Sequence, residues 1–124
     1  MIYTVGMLCK YFKGTNILEK NIYRIEKIGI KGSDIDKSLI IYTGDGELKT
    51  AINLVVYSNI FQDNKLFCRE YEDISGELSD EKKKMFNQTI KVQPLTDEEM
   101  SIINNPDFIQ NKTKLVAKKF AKKM

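Results

Sequence analysis

Apolar and polar residues in this chain alternate with a period of two more often than they recur at helical spacing, and turn chemistry separates the alternating stretches. Residues 1–12 are rich in β-formers (Ile2, Tyr3, Val5, Tyr11, Phe12), with Gly6 as a break. Lys13-Gly14-Thr15-Asn16 is a turn cluster. From Asn21 to Ile30, the residues Ile22, Arg24 and Glu26 alternate with Tyr23, Ile25 and Lys27, which predicts a strand with Gly29 near its bend or end. Lys31–Lys37 carries Gly32, Ser33 and Asp34 and is a predicted loop.

Leu39–Tyr42 and Glu47–Ile52 predict a hairpin around Thr43-Gly44-Asp45-Gly46, whose glycines supply the positive φ of tight turns. A phosphate cradle at Gly-Asp-Gly would need a following helix, and Glu47 onward reads as strand. The next hairpin spans 54–69. Leu54–Tyr57 leads through Ile60 and Phe61 to Gln62-Asp63-Asn64, and the chain returns along Lys65–Cys68 to Arg69. Ser79 is the predicted N-cap of a short helix that ends at Asn87-Gln88, and Thr89–Val92 is a predicted closing strand limited by Pro94. Thr96-Asp97-Glu98-Glu99 is a capping box for a helix to about Ile103. After Asn104–Asp107, residues 108–124 predict a last helix with Leu115, Val116 and Phe120 as its apolar stripe and lysines elsewhere.

Composition narrows the functional classes. A chain of 124 residues, 42% apolar and 30% charged, suits one soluble domain. No apolar run approaches the roughly 20 residues that span a bilayer, and the first ten residues lack the pattern of a signal peptide, so a cytoplasmic setting is expected. Histidine is absent, which removes the usual Ser–His and Cys–His nucleophilic pairs. No carboxylate-pair, Schiff-base or magnesium motif replaces them, so no enzyme and no cofactor are expected. Cys9 and Cys68 are expected to be free and too few for zinc, and Asp34, Asp36 and Asp45 lack calcium-loop spacing, so no metal is expected. Charge is uneven: residues 1–107 carry a net −3, residues 108–124 a net +6.

The chain has two arginines against eighteen lysines. A guanidinium pairs carboxylates and phosphates with a planar fork, which makes Arg69 the leading candidate binding residue. A structural pairing with Glu70, Glu72 or Asp73 is its competing reading. Arg24, on a strand that neighbours Arg69, would complete an anion clamp if both faced one way; a solvated face is the alternative. Tyr23, Tyr42, Tyr57, Phe61 and Phe67 would form either core or an aromatic wall for stacking. Lys13 beside Gly14 is a candidate phosphate contact or a plain turn residue. Lys112, Lys114, Lys118, Lys119, Lys122 and Lys123 form a basic tail able to contact nucleic acid or an acidic partner, or simply to face solvent.

Several of these segments resemble, in order, a small bacterial and phage domain-of-unknown-function family numbered sixteen fifty-three. The matching pieces are Tyr11-Phe12-Lys13-Gly14, Ile22-Tyr23-Arg24-Ile25, Leu54-Val55-Val56-Tyr57, Asp63 and Leu66-Phe67-Cys68-Arg69, over roughly residues 9–78. The family's histidine is Tyr11 here, its tryptophan Phe67, and its proline after the arginine Glu70. The resemblance implies a strongly bent sheet similar to an SH3-type barrel, with 31–53 as an inserted hairpin, and implies no activity. The expected architecture is therefore mainly β (α+β): an SH3-like β-barrel over 1–95, then a helical C-terminal extension over 96–124 with its basic tail. The expected function is a non-enzymatic binding module, an accessory or inhibitor protein of the phage- or mobile-element-encoded, anti-defence type. It would engage a protein partner or an anionic small ligand near Arg69 and Tyr57. The second expectation is a nucleic-acid-binding protein using the aromatic barrel surface and the lysine tail. An unpaired sheet edge or the last helix's stripe would support a homodimer.

Overall fold

A computed structural model describes residues 2–36, 40–42 and 50–123, with the side chains of 40–42 and 120–123 outside that description. Its strands are β1 (Leu8–Tyr11), β2 (Ile22–Ile30), β3 (Ile40–Tyr42), β4 (Leu54–Asn59), β5 (Lys65–Glu70) and β6 (Val92–Pro94). Its helices are α1 (Tyr71–Ile74), α2 (Asp80–Phe86), α3 (Asp97–Ile103) and α4 (Pro106–Lys123), and Gly32–Asp34 is a 3-10 turn. The strands lie in one sheet in the order β3-β5-β4-β2-β1-β6, parallel only between β3 and β5. The protein is thus a small α+β fold.

The hairpin over 54–69 is present, in the register Leu54↔Glu70 to Asn59↔Lys65. Asp63 and Asn64 both adopt φ 53°, and the Lys65 N–H donates to the Gln62 carbonyl at 3.1 Å. They are the central pair of the second turn in the five-residue connection 60–64, and short polar side chains tolerate this positive-φ backbone. All six residues of β4 are buried, because both faces of the sheet are covered there. One face carries Tyr3, Cys9, Tyr23, Ile25, Val55, Tyr57, Ile74 and Val92; the other carries Ala51, Leu54, Val56 and Cys68. The two cysteines are free and lie in opposite clusters, where burial pushes the thiols up to about 12 at Cys9 and about 11 at Cys68.

Four expectations change. The sheet is open rather than a closed barrel: β3 and β6 are its two edges, and β2 carries register shifts at Ile25/Lys27 and Ile28/Ile30 of the kind that bend a strand. Of the hairpin expected over 39–52, only residues 40–42 and 50–52 are described, and they do not pair with each other. Residues 50–53 are not strand, and β3 runs parallel to β5, whose outer edge would otherwise leave backbone groups unpaired. The turn at Gly44-Asp45-Gly46 lies outside the described residues. Near the N-terminus only Leu8–Tyr11 is strand, while Tyr3 enters the core with its hydroxyl within hydrogen-bond distance of the Ile74 and Val92 carbonyls. The closing strand is shifted to Val92–Pro94, an edge position that tolerates proline.

The helices are attached by buried lysines. Lys10 on β1 reaches Glu99 Oε2 at 2.6 Å, while Glu99 also completes the capping box with Thr96. Lys20 donates to the Phe86 carbonyl at 2.7 Å and to Gln88 Oε1 at 2.9 Å. Lys112 donates to the carbonyls of Leu18 (2.6 Å) and Lys20 (2.5 Å) and lies 6.0 Å from the Phe61 ring centre. Its side chain belongs to the interior, only 2% of the residue being accessible. This corrects the reading of α4 as a helix with every lysine outward: a long alkyl stem lets an ammonium reach carbonyls beneath an apolar surface. Leu115 and Val116 are half-buried, and the Phe120 side chain lies outside the described set.

Lys112→Ala removes the donor to two backbone carbonyls and is expected to cost about 1–3 kcal/mol in urea unfolding, against at most about 0.5 kcal/mol for exposed Lys114→Ala. Burial pushes the Lys112 ammonium down from the ordinary 10.5 to about 8. At this position the unfolded chain then binds more protons than the folded one between those values, so the Lys112 contribution to stability should rise with pH through that window, alongside a like contribution from Lys20 and opposing ones from the buried thiols. The stability of the wild type relative to Lys112→Met should therefore rise between urea titrations at pH 7.5 and 10, whereas its stability relative to Lys114→Met should stay constant.

Candidate functional site

Strand alternation sends Tyr11, Tyr23, Tyr57 and Phe67 to the same face of four adjacent strands, β1, β2, β4 and β5. Cys9 faces Tyr23 across one pair and Tyr57 faces Phe67 across another, which fixes the parity. The rings of Tyr23, Tyr57 and Phe67 form a triangle with centres 4.8, 5.8 and 5.9 Å apart, Tyr11 joins this ring row at Tyr23 (6.4 Å), and Tyr57 and Phe67 are nearly parallel at 15°. These are ordinary contact distances for offset or tilted aromatic pairs. Tyr23 and Tyr57 are buried, whereas Tyr11 and Phe67 at the two ends are half-buried.

A pocket of about 550 Å³ lies over this row, lined also by Lys13, Asn21, Arg69, Asp73, Ile74, Lys91 and Val92. Arg69 follows Phe67 by two residues and so shares its face. Its Nη1 contacts Asp73 Oδ2 at 3.3 Å, while Asp73 Oδ1 accepts from Lys91 Nζ at 2.9 Å. One carboxylate on α1 therefore holds a guanidinium and an ammonium side by side. The Lys91 hydrogen bond, helped by Arg69, keeps the Asp73 carboxyl below the ordinary carboxylate value. Burial pushes the Tyr23 hydroxyl up to about 12, against the opposing hydrogen bond from Asn21 and the charge of Arg69. Burial pushes Tyr57 up as well. Both phenols keep their protons at neutral pH and can donate.

Chemically, the pocket offers ring surface below, neutral donors at the sides and three cations against one carboxylate. A second cavity of about 310 Å³ has the opposite charge balance, its lining combining Lys27 with Glu26, Asp34 and Asp36 and with apolar Ile30, Ile35, Val56 and Leu66. Among the described residues no cluster of three or more His, Cys, Asp or Glu side chains has metal-holding geometry.

Five residues singled out from the sequence meet in the pocket: Arg69, Tyr23, Tyr57, Phe67 and Lys13. Arg69 has the Asp73 pairing named as its structural alternative, and both roles share one geometry. Arg24 is elsewhere. It pairs opposite Ser58 on the far face of β2, close to half exposed and 4.0 Å from Glu26, because one step along a strand reverses the face. The two arginines do not form a clamp. Phe61 lies past the hairpin turn and packs edge-on against Phe108 at 6.2 Å, so it seats α4 instead of lining the pocket. Tyr42, Lys122 and Lys123 have side chains outside the described set. Lys114, Lys118 and Lys119 are exposed on α4, while Lys112 is buried and is no tail contact. Sequence reasoning missed Tyr11, Asn21 and Lys91 as lining residues. Tyr11 was detectable from its parity with Cys9; Lys91 carried no local signal, since its partner lies 18 residues away.

No protein-family model, curated protein or solved structure matches the chain.

Asp73→Asn should weaken the fold only slightly, by about 0.5–1 kcal/mol at pH 7, because the pair is partly exposed and screened. The contribution of a carboxyl held below its ordinary value is present above that value and is lost as pH falls through the folded one. The stability difference between wild type and Asp73→Asn should therefore vanish in urea titrations taken stepwise from pH 5 toward pH 2.

Proposed function

We propose that this protein is a non-enzymatic binding module that captures an anionic small ligand in the pocket over Tyr11, Tyr23, Tyr57 and Phe67. The observation that carries this reading is the meeting of Arg69, Lys91 and Lys13 with four clustered aromatic rings in one pocket, with one carboxylate among them. The pocket's volume falls within the roughly 300–1,000 Å³ of small-molecule sites. In this reading Asp73 holds Arg69 and Lys91 in place before the ligand arrives, which lowers the ordering cost of binding. The sheet is an opened relative of an SH3-like barrel with 31–53 inserted, and the role is that of an accessory or inhibitor protein that sequesters its ligand. A phage or mobile-element setting follows from the motif resemblance alone. No described helix is long and apolar enough to cross a membrane.

A second reading, nucleic-acid binding, has one observation in its favour: Lys114, Lys118 and Lys119 are exposed on α4. It predicts oligonucleotide affinity that falls steeply with salt and depends on those lysines. Under the leading reading, a panel of mono- and polyanions should raise the thermal unfolding midpoint of the wild type. Arg69→Ala should reduce the affinity for an active anion at least tenfold, about 1.4 kcal/mol, and Lys114→Ala should not. Absence of any anion effect, or binding indifferent to Arg69→Ala, removes the leading reading.

A further inference from the structure

We infer that the ligand is a phosphate monoester joined to a planar ring, a nucleoside monophosphate in chemical class. This inference rests on the pocket reading above and adds the two halves of the ligand.

The charged half follows from the cation geometry. Arg69 and Lys91 touch the two oxygens of a single carboxylate, at 3.3 and 2.9 Å, so both cations converge on one point. A ligand with charge spread along its length would use them poorly; a terminal group with several oxygens around one centre uses both. A phosphate monoester brings three acceptor oxygens and nearly two charges at neutral pH, more than Asp73 presents to the same donors. In the bound state the phosphate displaces the Asp73 carboxylate from Arg69 Nη1 and Lys91 Nζ and accepts from both.

The uncharged half follows from the ring row. Four rings from four strands line the pocket, and two of them, Tyr11 and Phe67, are half-buried and keep part of their surface accessible. An aliphatic or inorganic anion would leave that surface wet. A planar heterocycle covers it by stacking, which every base does regardless of its edge groups. Asn21 and the proton-bearing Tyr23 hydroxyl lie in the same lining and supply the donors and acceptors that a sugar or a base edge requires.

Isothermal titration calorimetry of the full chain tests this with adenosine, guanosine and uridine 5′-monophosphates, ribose 5-phosphate, adenosine and citrate. At least one nucleotide should bind ten or more times tighter than both ribose 5-phosphate and adenosine. Phe67→Leu and Tyr11→Leu, which keep the side chain apolar, should weaken the nucleotide at least fivefold and leave ribose 5-phosphate unchanged. Arg69→Lys should weaken nucleotide and ribose 5-phosphate alike. Circular dichroism confirms that each variant is folded. If ribose 5-phosphate or citrate binds as tightly as every nucleotide, in an Arg69-dependent way, the ring requirement is overturned and the anion pocket stands. If no anion binds, or nucleotide binding ignores both Arg69→Lys and Phe67→Leu, both fall.

Discussion

The burial of strand β4 on both faces is the constraint from which the rest of the molecule follows. Leu54, Val56 and Cys68 pack on one side of the sheet, Val55 and Tyr57 on the other, so a slip of one residue would exchange the two cores. With that register set, β2 and β5 are aligned on either side of β4, and β1 is aligned on β2. Tyr57 then meets both Tyr23 and Phe67, and Arg69 emerges on the ring side two residues beyond Phe67. The pocket is a consequence of register, not of a loop shaped for the purpose. Its floor should therefore be among the last parts of the protein to loosen.

Buried lysines do a second job. Lys10, Lys20 and Lys112 place their ammonium groups against a carboxylate, a side-chain amide and three backbone carbonyls, and each contact joins the β1–β2 region to a later segment. Desolvating an ammonium is costly, and here carbonyls and Glu99 compensate. The cost is visible in the lowered proton affinity of Lys20 and Lys112, for which burial is the first cause. A helix such as α4, marginal alone, is thereby fixed to the body at a polar point as well as through Phe108 against Phe61.

What was legible in the sequence is what local chemistry determines. The 54–69 hairpin, the positive-φ pair in its turn, the Ser79 cap and the Thr96–Glu99 box each follow from residues a few positions apart. The pocket was half legible, because residue type alone singled out Tyr23, Tyr57, Phe67, Arg69 and Lys13, while their shared face followed only from the pairing of the strands. Three features depended on contacts that no local pattern encodes: the parallel pairing of β3 with β5, the arrival of Lys91 beside Asp73, and the inward turn of Lys112. A lysine in a basic run looks solvated until an unsatisfied carbonyl comes within reach. Arg24 was misplaced for a simpler reason: neighbouring strands were counted as one face without applying the parity of their residues.

The proposed ligand surface is the ring row with its cation pair. The most direct measurement is a heteronuclear NMR titration of the full chain with a nucleoside monophosphate. Shifts should concentrate on Tyr11, Tyr23, Tyr57, Phe67, Arg69 and Lys91, with α4 and the Glu26–Asp34–Asp36 face silent. Shifts confined to the exposed lysines of α4, with the ring row unmoved at saturating ligand, would contradict it.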